Sequence, residues 1–198
     1  MIGIIGGTGD FGQGLAGRLR ALGEEVVLGS RTPRDGFVSN AEATEHSDIV
    51  FLSVPPEGVE FMCRNLADEL AGRIVVSVAS PVVFVGGRPA AEPDELSLAE
   101  KAQYAAPRCR VVAGFHTVSA KALARIEDPL DEDVLLCADE AEAKDEVASL
   151  AERLVNGRAV DAGPLMVARW VEPMTAVLLN VNRNYRAQSG VRITGIAT

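Results

Sequence analysis

Ile2-Gly3-Ile4-Ile5-Gly6-Gly7-Thr8-Gly9-Asp10-Phe11-Gly12 opens the chain and decides its fold. Ile2 to Ile5 is a short apolar run suited to a buried strand. Gly7, Gly9 and Gly12 follow with the G-x-G-x-x-G spacing, and Phe11, Leu15, Leu19 and Leu22 then recur at helical steps along one face. Strand, glycine turn and helix in that order are the context a dinucleotide-binding motif requires. In that reading Gly7 permits the tight turn, Gly9 lets the backbone approach a pyrophosphate, and Gly12 lets helix and strand pack closely. The anion would lie at the helix N-terminus, so Thr8, Asp10 and Phe11 join the three glycines as candidate cofactor contacts.

Val26-Val27-Leu28 reads as the second strand. Its end normally selects the dinucleotide: an acidic residue there binds the ribose hydroxyls of NAD. This chain has Gly29-Ser30-Arg31 instead, with Arg34 close behind. A hydroxyl and planar guanidinium donors suit a 2′-phosphate, so Ser30, Arg31 and Arg34 predict NADP(H). Asp35 to Asp48 is short and polar, and His46 within it reads as a solvated side chain. Ile49 to Val54 is a central strand whose end, Ser53-Val54-Pro55, faces the nucleotide crevice. A helix is predicted over 57–70 and a strand over 73–78. The Pro- and Gly-rich stretch from Ala79 to Pro93 reads as a loop over the mouth of the site. A short helix over 96–106 precedes the strand Val111 to Gly114, which delivers Phe115-His116-Thr117 to its end. His116 is the candidate catalytic residue, able to orient a ring, donate to a carbonyl or relay a proton. The alternative is a partly buried histidine that satisfies a loop carbonyl.

Val134 to Cys137 and Arg158 to Asp161 read as further strands around an amphipathic helix over 140–154. Leu165 to Asn182 then reads as one long apolar helix, more than a single sheet face needs, which predicts a homodimer interface. Asn180, Asn182, Arg183, Asn184 and Tyr185 form a polar patch suited to a ligand crevice. The predicted class is therefore α/β: a Rossmann-type NAD(P)-binding parallel sheet over 1–160 with a small C-terminal helical portion, 161–198, for substrate binding and dimerisation.

A formal net charge of −9 argues against a nucleic-acid surface. Cys63, Cys109 and Cys137 are widely spaced and, with two histidines, complete no metal pattern, so no metal is expected. They read as buried thiols of a reducing compartment. No stretch reaches transmembrane length, and no signal peptide is read at the N-terminus. The expected location is the cytoplasm.

The order Ile5-Gly6-Gly7-Thr8-Gly9, Gly29-Ser30-Arg31, His116-Thr117, Asp161-Ala162-Gly163-Pro164-Leu165, Leu179-Asn180 and Arg192-Ile193-Thr194-Gly195 resembles the F420-dependent NADP reductases along essentially the whole chain. The resemblance implies hydride transfer between NADP(H) and the deazaflavin coenzyme F420 by a dimer. It implies that Thr8, Ser30 and Arg31 bind NADP, and that Val54 and Pro55 border the path to the nicotinamide. His116, Thr117 and Val118 would lie beside the rings, and Gly163, Pro164 and Leu165 would help close the F420 pocket. The chain departs from the family after Arg31, where the usual Glu-Lys-Ala segment and longer helix are missing and Arg34 stands in for the lysine. Two other readings stay open: an NADPH-dependent reductase of another imine or carbonyl metabolite, and a non-catalytic NADP-binding sensor or scaffold.

Overall fold

The computed structural model describes residues 1–92 and 94–196, so Pro93, the last residue of the predicted 79–93 loop, lies outside the described residues. In chain order the first half comprises β1 (Ile2–Ile5), α1 (Asp10–Ala21), β2 (Val26–Ser30), β3 (Val38–Ser39), α2 (Asn40–Glu45), β4 (Ile49–Leu52), α3 (Val59–Asn65) and β5 (Ile74–Ser77). A hairpin of β6 (Val82–Val85) and β7 (Arg88–Ala91) follows, then α4 (Leu98–Ala105), β8 (Arg110–Ala113), α5 (Ala120–Leu123), β9 (Val134–Cys137) and α6 (Ala141–Leu154). The chain ends with β10 (Ala159–Gly163), α7 (Ala168–Val171) and α8 (Met174–Tyr185).

Eight strands form one sheet in the order β10-β9-β8-β5-β4-β1-β2-β3. β1 pairs in parallel with β2 on one side and β4 on the other. The strand order therefore reverses at the end of β1, and that switch point is where an open α/β sheet leaves a crevice beyond its strand ends. The period-two alternation of the strands divides the core. Ile4, Phe51, Val76 and Val112 pack on one face with α1 and α6. Ile5, Leu52, Val75 and Val111 pack on the other with α3 and α4. The short apolar runs of the central strands follow from burial on both faces.

The sequence-based reading needs three corrections. Within the stretch expected as a loop, Val82–Val85 and Arg88–Ala91 form a two-stranded hairpin closed by Gly86 and Gly87, both at positive φ (56° and 74°), the conformation a tight two-residue turn demands. The helix expected over 57–70 is regular only from Val59 to Asn65. The single helix expected over 165–182 is broken: a 3₁₀ turn at Leu165–Val167 leads into α7, and α8 restarts behind Pro173, whose ring cannot continue a helix interior. Glu172, at this break, is almost fully buried and accepts from the N–H groups of Leu98 (2.8 Å) and Ala99 (2.9 Å). It thus caps α4 from another part of the chain, although burial pushes its carboxyl up to about 7. Arg169 adds a two-pronged bond to Glu100 of α4.

After α8 the chain runs back across the molecule as a strap. The carboxylate of Asp133, wholly buried, accepts from Ile193 N (2.7 Å), Arg158 N (2.9 Å) and Arg158 Nη2 (3.2 Å). Asp133 N donates to Val191 O at 2.7 Å. Those donors hold the Asp133 carboxyl below the usual carboxylate range, although burial acts in the opposite direction.

Candidate active site

The glycine turn is shaped first by a residue outside the motif. Gly6 adopts φ 74°, and a Cβ on it would collide with the carbonyl oxygen of Ser53. Gly6, rather than Gly7, makes the tight turn. Gly7 packs on Leu28, where a Cβ would lie 2.8 Å from Cδ2, and Gly12 packs on the turn, with Gly7 Cα 2.9 Å from its missing Cβ. Gly9 differs: a Cβ there would meet nothing nearer than Gly6 O at 3.7 Å, so its outer side is open. It is also the N-cap of α1 and supplies no side-chain cap, which leaves the first amides of a twelve-residue helix without a side-chain partner. The loop therefore presents bare backbone donors to open space, the arrangement that holds a pyrophosphate.

Two cavities meet beyond the C-terminal ends of the strands, at the switch point. A nucleotide cavity of about 590 Å³ is lined by Gly6, Thr8, Gly9, Ser30, Arg31 and Arg34, with Asn40, Pro55, Phe61 and Met62 opposite. A ring cavity of about 520 Å³ is lined by Asp10, Phe11, His116, Thr117 and Val118, and by Val82, Thr175, Leu178 and Asn182. Ser53 and Val54 belong to both, so the two form one trough. Both volumes suit a small-molecule ligand. A third cavity of about 870 Å³, bounded by Glu57, Pro81, Glu95, Lys101 and Trp170, touches the ring cavity at Val82.

At the nucleotide end, Arg31 and Arg34 are exposed and neither enters any ion pair among the described residues. Arg34 lies over the ring of Phe37, its guanidinium carbon 5.2 Å from the centroid. The Ser30 hydroxyl is engaged locally, donating to Thr32 O and accepting from Thr32 N at 3.1 Å each. It shapes the turn that presents Arg31.

At the ring end, Phe115 carries the site's backbone strain. It is a buried, non-glycine residue at φ 65°, locked by an edge-to-face contact with Phe51 (centroids 5.5 Å apart). That kink delivers His116. Thr175 Oγ1 donates to His116 O at 2.7 Å, because a carbonyl can only accept. The 2.7 Å contact between Ser80 Oγ and Thr175 Oγ1 then requires Ser80 to donate. Ser80 has no proton left, so its 3.4 Å contact with His116 Nδ1 requires the proton on Nδ1. The circuit therefore makes Nε2 the unprotonated nitrogen, and Nε2 is buried without a partner. Burial pushes the imidazole down to about 4, against the opposing pull of the Ala79 and Val78 carbonyls, so His116 is neutral at physiological pH.

Of the expected site residues, Thr8, Gly9, Ser30, Arg31, Arg34 and Pro55 line one end of this trough, His116, Thr117 and Val118 the other, and Ser53 and Val54 lie between; Asp10 and Phe11, expected beside the pyrophosphate, line the ring end. The structure gathers all of these. Gly7 and Gly12 support the turn from beneath. Gly163, Pro164 and Leu165 line none of the three cavities: they end β10 at the far sheet edge, where Gly163 O accepts from Lys144 Nζ (3.0 Å) and Leu165 N donates to Asp139 (2.9 Å). Asn40, Ser80, Thr175, Gln188 and Ser189 were missed. Asn182, from the expected polar patch, accepts from Ser189 N (2.6 Å) and Ser189 Oγ (2.8 Å), tying strap to cavity wall. Asn180 donates to Pro89 O (2.7 Å) and Arg183 to Gly87 O, clamping the hairpin to α8. His46 enters neither end of the trough, and Tyr185 is exposed outside it.

The family model described as NADP oxidoreductase, coenzyme F420-dependent, matches residues 1–81. The chain is 33% identical to the F420-dependent NADP reductase of Methanocaldococcus jannaschii, over 98% of each chain. It is also 33% identical to the F420-dependent NADP reductase of Methanothermobacter marburgensis, again over 98% of each. A solved structure from Arthrobacter sp. FB24, described as a candidate F420-dependent NADP reductase, superposes with a TM-score of 0.87 at 25% identity, covering 98% of this chain and 99% of that one.

Proposed function

The chain belongs to the F420-dependent NADP reductase family, and from that premise we propose that it transfers a hydride reversibly between NADP(H) and coenzyme F420. The observation that carries the reading is the single trough across Ser53 and Val54, with arginines that enter no ion pair among the described residues at one end and a mostly apolar ring cavity at the other. The bound pair supplies the redox chemistry: a hydride from nicotinamide C4 passes to deazaflavin C5 while one proton is taken from solvent, and the reverse reaction returns both.

The protein's part is to hold and to exclude. Gly9 and the first amides of α1 receive the pyrophosphate, and Arg31 and Arg34 receive the 2′-phosphate. Phe11, Val54, Val118 and Leu178 wall the ring cavity and keep water from the transferring carbon. His116 offers Nε2 as an acceptor to a ring N–H or carboxamide N–H. A neutral imidazole with its proton committed to Ser80 is a poor acid at pH 7, which weighs against a carbonyl or imine substrate protonated by His116.

Residues 161–198 form the substrate-binding and dimerisation segment in this reading. Val177, Trp170 and the hairpin's Phe84 are largely exposed apolar side chains, which supports a homodimer through α8. Three buried, unpaired thiols fit the cytoplasm. No helix among the described residues is long and apolar enough to cross a membrane.

The test mixes purified protein with NADPH and oxidised F420 and follows loss of the deazaflavin's visible absorbance. Catalytic bleaching, markedly slower with NADH, is the expected result. Protein that binds NADPH tightly yet bleaches nothing overturns the F420 assignment and reopens a silent sensor. Val177→Glu, run on a sizing column with light scattering, is expected to halve the mass of the wild-type particle. A wild-type monomer overturns the dimer.

A further inference from the structure

We propose that Asn40 is a specificity-determining contact for the phosphorylated ribose, its amide donating to the 2′-phosphate and accepting from the adjacent 3′-hydroxyl. The proposal rests on the NADP(H) reading of the nucleotide cavity.

Position comes first. β3 pairs with the end of β2, Gly29 opposite Val38 and Ser30 opposite Ser39. The next residue, Asn40, therefore emerges beside Arg31, and both line the nucleotide cavity. Its backbone is fixed from two sides. Ser39 Oγ accepts from Glu42 N at 3.1 Å, and Thr44 Oγ1 donates to Asn40 O at 2.8 Å.

The side chain is nine-tenths buried, yet its hydrogen-bonding capacity is largely unspent. Nδ2 reaches only Met62 Sδ, at 3.6 Å, a weak sulfur acceptor that uses one of two N–H groups. Oδ1 has no partner. The strand end is also cut back to admit the amide: a Cβ on Gly29 would lie 2.7 Å from Oδ1. If packing were the only demand, an apolar side chain of the same shape would serve at lower cost, because a buried amide without partners loses its hydration uncompensated. One free donor and one free acceptor on adjacent atoms match a ribose that carries a phosphate beside a hydroxyl. The phosphate can only accept there, so it takes the N–H, and the hydroxyl donates to Oδ1.

Equilibrium titration with four probes tests this: NADPH, NADH, 2′,5′-ADP and 5′-ADP, with chain folding checked by circular dichroism. Asn40→Asp keeps the acceptor, removes the donor and adds a negative charge. It is expected to weaken NADPH and 2′,5′-ADP by about tenfold or more without weakening NADH or 5′-ADP, whose free ribose hydroxyls can donate to the carboxylate. Asn40→Leu removes both functions and is expected to weaken all four. An unchanged NADPH-to-NADH ratio in Asn40→Asp overturns the proposal, as does wild-type affinity in Asn40→Leu, which decides the matter alone if the aspartate variant does not fold. A wild-type protein with no preference for NADPH over NADH instead overturns the parent reading.

Discussion

The two ends of the trough are built by opposite means. At the nucleotide end the pyrophosphate cradle is backbone within one strand–turn–helix unit, with Gly6 turned to positive φ, Gly9 open on its outer side and Gly12 pressed on Gly7, and side chains enter only at the ribose. The ring end is made of side chains from segments far apart in sequence, with Ser80, His116 and Thr175 joined in one hydrogen-bond circuit and Asn182 holding Ser189 of the strap. Backbone geometry tolerates almost no substitution and recognises what all dinucleotides share. A wall of separate side chains can be changed one residue at a time, so it is the end at which relatives can diverge in what they accept.

The sharpest break in this comparison is Gly6→Ala. Its Cβ meets the Ser53 carbonyl at a φ that side-chain-bearing residues rarely adopt, and the strain and backbone shift should cost about 3 kcal/mol or more. Urea unfolding measures it, and NADPH affinity should fall with it. A variant as stable as wild type would mean that the turn is not rigid.

The ring end carries the next effect, through pH. The folded-state value of His116, about 4, lies below its ordinary 6.5, so between these values the unfolded chain binds more protons. Stability is therefore lost as pH falls from about 6.5 toward 4, by up to about 3 kcal/mol. Glu172 and Glu132, both raised by burial to about 7, act in the opposite sense, favouring the fold as pH falls from 7 toward 4.5. The His116 contribution is isolated as the difference between wild type and His116→Gln. That difference should shift in favour of His116→Gln as the solution is acidified from pH 6.5 to 4. A constant difference would show that the imidazole is not buried as neutral.

Arg31→Ala sharpens the nucleotide end. Loss of a charge-assisted contact worth about 2 kcal/mol should weaken NADPH roughly thirtyfold while NADH is unaffected, as read by fluorescence titration. The smallest effect belongs to Thr175→Val, which leaves the His116 carbonyl and Ser80 without their partner. It should cost about 1 kcal/mol and raise KM for F420 several-fold, with NADPH affinity unchanged. Equal changes for both substrates would mean that the two ends are not separable.

The same contrast explains what could be read in advance. The strand–glycine–helix unit and the strand-end arginines are local patterns, and both line up along the nucleotide cavity. Gly6 escaped notice because a spacing motif does not say which glycine needs positive φ. The hairpin over 82–91 was obscured by Pro89, which weakens a strand signal, although Gly86-Gly87 marks its turn. Pro173 was visible, but the apolar run on either side outweighed it. Asn40, Ser80 and Thr175 carry no local signature: each is an ordinary polar residue until the fold sets it against a partner 22, 36 or 95 positions away. Gly163, Pro164 and Leu165 show the converse, a recognisable run that the sheet carries to the edge opposite the nucleotide end.

The buried Asp133 carboxylate has a consequence for how the molecule is made. It is fixed by Ile193, sixty residues later, and the strap it anchors is what brings Ser189 against Asn182. During vectorial synthesis the glycine-turn unit is made long before the strap is translated. The nucleotide end can therefore assemble first, and the wall of the ring end is completed only once the strap has been made.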